Sequence, residues 1–303
     1  MDRVIKNVAI AGTSGNVGSH ALQAIVEQGR FTVTVLARKQ PAQVPAGVVV
    51  KIVDFDSVPS LTEALKNQDA FVDAVNTPDP SVPLRLIDAA VAAGVYRFIL
   101  SEFSTDPDNA KVRALPPFLG KAKVYDYIRK LADGGKITWT AISNNAFLDW
   151  GLRTGFVNID LVNEKVALMN GGMHPFPWTL LSSVGKAVAG VLVKPGETNN
   201  RVCHIYNFQK SQMEMAELAK QALGDEGWQT ERLDMDVVFA KALSDLKSGK
   251  VDFQVIGDMI RYAITTPSLA SPLDKDDNEL LGVPALGDDD IKQVIKEIAA
   301  ETR

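Results

Sequence analysis

The sequence has little of what secreted, metal-binding or nucleic-acid-binding proteins require. One cysteine, Cys203, and three histidines occur among 303 residues, so no intrachain disulfide can form and no metal-ligand spacing is present. The net charge of −5 argues against nucleic acid or a membrane surface as a partner. No apolar run is long enough to span a bilayer, and the Gly-x-Ser-x-Gly segment of hydrolases is absent. We therefore expect a cytoplasmic protein without metal, in which Cys203 is a packed thiol.

The first half of the chain alternates between strand and helix patterns, which is typical of a parallel sheet with crossover helices. The candidate strands lie near residues 8–11, 31–37, 48–53, 70–75, 98–101 and 137–143. This pattern predicts an α/β fold, a doubly wound parallel sheet of the Rossmann type, over residues 1–155. Residues 156–303 are expected to form a smaller α+β region that covers the substrate, with a strand at about 202–208 returning to the main sheet. This second region carries helical patterns near residues 183–193, 212–223, 237–247 and 291–300.

A glycine-rich turn follows the first candidate strand. Gly12, Gly15 and Gly18 stand between the apolar segment 8–11 and a helical pattern that ends at Gly29. This order of strand, glycine turn and helix builds the pyrophosphate site of dinucleotide-binding proteins, because the free N–H groups of the helix face the anion. We expect the whole turn to surround the cofactor phosphates: Gly12, Thr13, Ser14, Gly15, Asn16, Val17 and Gly18.

The end of the second candidate strand indicates which dinucleotide is bound. Arg38 and Lys39 stand there, at the distance from the glycine turn where enzymes for NAD place an acid. A guanidinium instead suits the 2′-phosphate of NADP(H), and we predict that Arg38 binds it with the help of Lys39. The alternative interpretation is a pair of solvated basic residues at a strand end.

A later helix carries the candidate for proton transfer. Short-chain dehydrogenases usually place Tyr-x-x-x-Lys on one face of this helix, but the residue four before Lys121 is Pro117. The combination of the glycine turn, Arg38, Ser101-Glu-Phe103, Lys121-Ala-Lys123 and Ser143-Asn-Asn-Ala-Phe147 resembles the NmrA-like and isoflavone reductase-like group of atypical short-chain dehydrogenases. That group includes the phenylcoumaran benzylic ether reductases, and the matching segments span about half of the chain.

The resemblance implies that Lys121 is the catalytic acid/base in place of the missing tyrosine. An ammonium group near a cofactor ribose and an apolar pocket can have its pKa lowered enough to exchange protons. The alternative is that Lys121 only bonds ribose hydroxyls, and Lys123 is expected to be a bystander. Further cofactor contacts are expected from strand ends, namely Asp54, Asn76, Thr77, Glu102, Phe103 and Asn145. For Asp54 and Asn145 a plain turn role, and for the phenylalanines a core role, remain open.

Aromatic and apolar residues near and beyond the sixth candidate strand suggest a pocket for a flat, aromatic or polyketide-like molecule. The candidate lining residues are Phe103, Phe147, Trp150, Met169, His174, Phe176 and Trp178. Prolines 175 and 177 would hold their segment open and rigid, as in a lid. His174 is a possible second proton donor, although a surface-loop histidine is the simpler interpretation.

Two functions follow from these expectations. The first is an NADPH-dependent reductase of a small aromatic or conjugated metabolite, acting as a monomer or homodimer. The second is an NADP-sensing regulatory protein without turnover, as the resemblance also allows. The missing Tyr-x-x-x-Lys suits the sensor, whereas Lys121 and the aromatic segment suit the enzyme.

Overall fold

The computed structural model describes residues 3–269, 274 and 276–302. Its main sheet is built from β1 (Asn7–Ala11), β2 (Thr32–Ala37), β3 (Val49–Ile52), β4 (Ala70–Asp73), β5 (Arg97–Ile99), β6 (Thr138–Ser143) and β11 (Arg201–His204). The spatial order is β11-β6-β5-β4-β1-β2-β3, and every neighbouring pair is parallel. The chain order reverses between β1 and β4, so ligands are expected at the carboxyl ends of these strands. The predicted doubly wound α/β fold is confirmed.

Helices cover both faces of this sheet. One face carries α1 (Asn16–Glu27) and α7 (Leu181–Val193), which pack on each other over a core of buried aliphatic residues. The other face carries α2 (Val58–Leu65), α3 (Ser81–Ala92) and α5 (Leu119–Asp133), whose apolar sides pack on Phe71 and Phe98. Because both faces are covered, the central strands are mostly apolar, and Asp73 and Arg97 are charged exceptions at the ends of β4 and β5.

The remaining elements form two small sheets and the helices around them. The first small sheet contains β7 (Ala146–Phe147), β10 (Pro175–Thr179) and β12 (Phe208–Ser211), and the second contains β8 (Ile159–Asp160), β9 (Lys165–Met169) and β13 (Gln229–Leu233). The helices are α4 (Ala110–Arg113), α6 (Leu148–Arg153), α8 (Gln212–Leu223), α9 (Met235–Lys247), α10 (Phe253–Thr265), α11 (Asn278–Leu281) and α12 (Asp288–Thr302). None of the helices in the described ranges is long and apolar enough to cross a membrane.

The structure differs from the expected single strand over 202–208. The strand β11 pairs with β6 but ends at His204, where the chain turns, and Phe208 begins β12 in the first small sheet. Asn207 fixes this turn, because its side chain accepts a hydrogen bond from the Leu180 N–H and donates to Ser183 Oγ. The helix α10 is an element that the sequence analysis did not anticipate.

The glycine turn is held by backbone contacts that leave no room for side chains. Gly12 has a φ of +84°, and a Cβ there would lie 2.2 Å from the carbonyl oxygen of Ala74. A Cβ on Gly18 would lie 2.1 Å from the Gly12 oxygen, whereas one on Gly15 would meet nothing closer than 3.4 Å. The turn therefore packs directly against β4 on one side and α1 on the other.

This packing predicts different outcomes for two similar substitutions. Gly18→Ala is expected to lower the free energy of unfolding by about 2 kcal/mol or more, because backbone atoms must move to admit the methyl group. Gly15→Ala is the control: its φ of −88° suits any residue, so its stability should stay near that of the wild type. Urea unfolding of both variants measures the difference, and equal stability would contradict the packing described.

Candidate functional site

The glycine turn and the beginning of α1 lie at the carboxyl end of β1. The N–H of Gly15 donates to the Gly12 oxygen at 3.0 Å, and the helix begins at Asn16 without a side chain that caps it. Ser14, Gly15 and Asn16 are exposed, while Thr13 and Val17 are half-buried. Uncapped N–H groups at a helix N-terminus favour an anion, so the geometry fits a pyrophosphate.

The neighbouring strand ends carry the residues expected around the adenosine half. Arg38 and Lys39 follow β2 directly and are both exposed, which leaves the guanidinium accessible to a phosphate. Asp54 is exposed after β3, and its carboxylate accepts a hydrogen bond from the Asp56 N–H. This contact is the turn role that the sequence left open for Asp54.

Asn76 and Thr77 follow β4 on the other side of the glycine turn. Asn76 is exposed and Thr77 is half-buried. The Thr77 hydroxyl accepts a hydrogen bond from the Asp79 N–H, so its side chain stabilises the approach to α3.

Lys121 lies in the first turn of α5 and reaches the carboxyl end of β5. Its Nζ donates to the carbonyl oxygen of Ser101 at 3.0 Å and to that of Glu102. The Ser101 hydroxyl in turn donates to the Val75 oxygen at 3.1 Å, which ties this strand end to β4. Two of the three ammonium N–H groups are thereby bonded to backbone carbonyls.

The surroundings of Lys121 make its ammonium more acidic. Burial lowers the pKa of Lys121, and the nearby Arg113 lowers it further, while the carboxylates of Glu102 and Asp73 oppose both effects. An amine with a lowered pKa exchanges protons more readily at neutral pH, which is the property an acid/base residue needs.

Glu102 and Arg113 form a buried ion pair beneath this lysine. The guanidinium donates to both carboxylate oxygens, at 2.9 and 3.0 Å, and both side chains are less than a tenth exposed. The carboxylate of Glu102 is therefore turned into the protein, and the carbonyl of this residue is what holds Lys121. The sequence analysis did not identify Arg113, since its partner is 11 residues away and no pattern links them.

The segments that follow β5 and β6 each contain a residue with left-handed backbone. Phe103 has a φ of +25° and Asn145 a φ of +52°. The N–H groups of Asn144 and Asn145 both donate to the Ser104 oxygen, which joins the two strand ends. Asparagine adopts this conformation readily, whereas for phenylalanine it is strained and is found mostly at functional sites. The structure thus brings Phe103, Asn145 and Lys121 to the same edge of the sheet.

An aromatic cluster lies just beyond this edge and consists of Phe147, Trp150, Phe156 and Phe253. Ring centroids are 6.4 Å apart for Phe147 and Trp150, 4.9 Å for Trp150 and Phe156, and 6.3 Å for Trp150 and Phe253. Phe253 is 64% exposed at the beginning of α10. Phe253 is not among the residues predicted from the sequence, because α10 was not predicted either.

Other residues expected in the pocket lie elsewhere. Phe176 and Trp178 are buried in the core of the second region, where their rings stack at 4.6 Å, and Trp178 Nε1 donates to the Lys210 oxygen. Met169 is 2% exposed, and His174 is half-buried before β10. Because side chains alternate along β10, the rings of Phe176 and Trp178 both point into the core and do not line an open cavity. Within the described ranges, no group of three or more His, Cys, Asp and Glu side chains could hold a metal ion.

Comparison with known proteins identifies the family. The sequence model of the NmrA-like family matches residues 5–227 of this chain. The oxidoreductase aprR of Aspergillus flavus is 32% identical over 249 residues, which cover 80% of this chain and 82% of that protein.

Two solved structures share the fold. The leucoanthocyanidin reductase of Vitis vinifera, solved as a binary complex with NADPH, superposes with a TM-score of 0.79 at 18% identity and covers 97% of this chain and 99% of its own. A chain from the structures of pinoresinol-lariciresinol and phenylcoumaran benzylic ether reductases gives a TM-score of 0.75 at 20% identity, with 98% and 100% covered. On the match over residues 5–227 and the relative at 32% identity, the chain belongs to the NmrA-like family.

Proposed function

We propose that the protein is an NADPH-dependent reductase that transfers hydride to a small aromatic or conjugated metabolite, with Lys121 as the acid/base. The observation that carries this proposal is the half-buried ammonium of Lys121, fixed by two strand-end carbonyls beside the glycine turn. Support comes from the relative named an oxidoreductase and from the reductase structures with the same fold.

The residues of the first strand ends fit NADP(H). The backbone of the turn between Gly12 and Gly18 would hold the pyrophosphate, and the exposed Arg38 would pair with the 2′-phosphate. Phe103 and Asn145 would face the nicotinamide half, since they follow β5 and β6, whose carboxyl ends lie near Lys121. When bound, this cofactor supplies the hydride.

Lys121 supplies the proton that hydride transfer to an electron-poor carbon requires. Its ammonium would donate to the oxygen or carbon that gains negative charge, and the two carbonyls would keep the nitrogen in place while the proton leaves. Burial and the Arg113 guanidinium both lower the pKa of Lys121, which favours donation near neutral pH.

The aromatic cluster supports a flat substrate. Trp150 is half-buried and Phe253 is exposed, so their rings offer faces and edges on which an aromatic molecule can pack. Phe147 ends β7 two residues after Asn145, which places the cluster next to the expected nicotinamide position.

Arg38 tests the choice of cofactor. Arg38→Ala should raise the Kd of NADPH by about tenfold or more, because a charge-assisted contact to the 2′-phosphate is lost. The Kd of NADH should change by less than about twofold, since NADH has no such phosphate. Titrations of intrinsic fluorescence measure both constants, and equal weakening for the two cofactors would refute the assignment.

Lys121 tests the reaction. With a panel of phenolic and quinonoid compounds, Lys121→Met should lower NADPH oxidation by at least about a hundredfold, the usual contribution of an acid/base residue. Lys123→Met is the matched control on the exposed side of the same helix and should retain activity. Full turnover by Lys121→Met with NADPH binding intact would remove the lysine from the mechanism. NADPH binding without oxidation of any compound in the wild type would favour the sensor.

A further inference from the structure

A second ionisable group lies inside the site and has no role in the function proposed above. Asp73 is the last residue of β4 and is 1% exposed. Its Oδ1 accepts a hydrogen bond from the Val75 N–H at 2.9 Å. Among the described residues, no cationic side chain has a nitrogen within 4.0 Å of the Asp73 carboxylate oxygens, so Asp73 forms no ion pair. A carboxylate buried in this way is costly unless it is neutralised.

Asp73 is adjacent to both halves of the site. It pairs in register with Ala11, the residue before the glycine turn, and the following residue, Ala74, is in contact with Gly12. Alternation along β4 places its side chain on the same face as Phe71, the face that α5 covers. Asp73 therefore lies between the phosphate-binding turn and Lys121.

The charges around Asp73 come from several elements. Lys121 on α5 favours its carboxylate, while Glu102 after β5 and Arg113 on α4 neutralise each other in their ion pair. Burial is nevertheless the largest effect, and it raises the pKa of Asp73 to about 7. A small change in local charge at neutral pH is then enough to protonate or deprotonate this carboxyl group.

We propose that Asp73 is a positioning residue that takes up a proton when NADPH binds, so that Lys121 faces a neutral carboxylic acid in the complex. The inference rests on the proposed function, because it needs the dinucleotide phosphates at the Gly12 turn. Their negative charge disfavours a second, buried carboxylate close by, and one proton from solvent neutralises it. The carboxylate of Asp73 opposes the lowering of the Lys121 pKa, so its protonation makes the ammonium a readier proton donor.

Calorimetry with NADPH measures this proton directly. Titrations at pH 7.5 in HEPES and in Tris, which differ in ionisation heat, should give an uptake approaching one proton for the wild type. The 2′-phosphate of the ligand ionises near pH 6, so it contributes little at this pH. The Kd of NADPH should rise by about three- to tenfold between pH 7 and pH 8.5, because binding linked to proton uptake weakens as protons become scarce.

Two variants assign the proton to its residue. Asp73→Asn keeps the shape and the hydrogen bond from Val75, and it should abolish most of the uptake and hold the Kd within about twofold over the same pH range. Asp126→Asn, on the exposed side of α5, is the matched control and should behave as the wild type. Unchanged uptake in Asp73→Asn would overturn the inference. Absence of NADPH binding by the wild type, in calorimetry with both buffers and in fluorescence titration, would instead refute the proposed function.

The ligand-free protein provides a second measurement. A carboxyl group whose pKa is raised in the folded state favours folding at low pH, and this contribution is lost as the pH rises through about 7. Asp73→Asn should therefore melt at a higher temperature than the wild type at pH 8, with a smaller advantage at pH 5. A difference that is the same at both pH values would overturn the assignment of Asp73 as the proton-binding group.

Discussion

The close backbone approach at the glycine turn is the constraint on which the site depends. The contacts of Gly18 with Gly12 and of Gly12 with Ala74 stack the beginning of α1, the turn and the end of β4 without intervening side chains. This stacking exposes the uncapped N–H groups of α1 at the carboxyl edge of the sheet, where an anion can reach them. The same contact fixes β4 beside the turn, and Asp73 is the last residue of that strand.

The other half of the site depends on how one lysine is held. A short-chain dehydrogenase normally pairs a lysine with a tyrosine, but here the helix begins after two prolines and offers no tyrosine at that position. The Lys121 ammonium instead bonds the Ser101 and Glu102 carbonyls, and Ser101 is bonded to Val75. Neutral carbonyls hold the nitrogen without the strong rise in its pKa that a paired carboxylate would cause. The two carbonyls therefore fix the position of the Lys121 nitrogen, while burial and the nearby charges determine its pKa.

The sequence was sufficient to predict the parts of the fold that follow local rules. The alternation of apolar strands and amphipathic helices predicts the central sheet, and the spacing of Gly12, Gly15 and Gly18 predicts the turn. Contacts between residues that are far apart in the sequence cannot be predicted from such local rules. The pairing of Glu102 with Arg113 and the burial of Phe176 and Trp178 depend on which elements pack together.

Asp73 is a residue whose unusual position is visible in the sequence pattern. It ends a strand of apolar residues, and a single acid in such a run is unusual because burial opposes its charge. The apolar residues around it predict only a strand over 70–75. By contrast, nothing in the spacing of Phe253 relates it to Trp150, although the fold brings the two ring centroids to 6.3 Å from each other.

A cationic side chain lies at each end of β5, and the two are bonded differently. At the amino end, Arg97 is completely buried, and its five N–H groups meet five acceptors: the hydroxyls of Thr138, Thr140 and Thr198, the Pro195 carbonyl and the Asn199 amide oxygen. Such a cation has no donor left and can only hold β5, β6 and the segment before β11 together. At the carboxyl end, Lys121 has used two of its three donors. Proton transfer needs a donor that is not already satisfied, and the role proposed for Lys121 rests on its remaining N–H group.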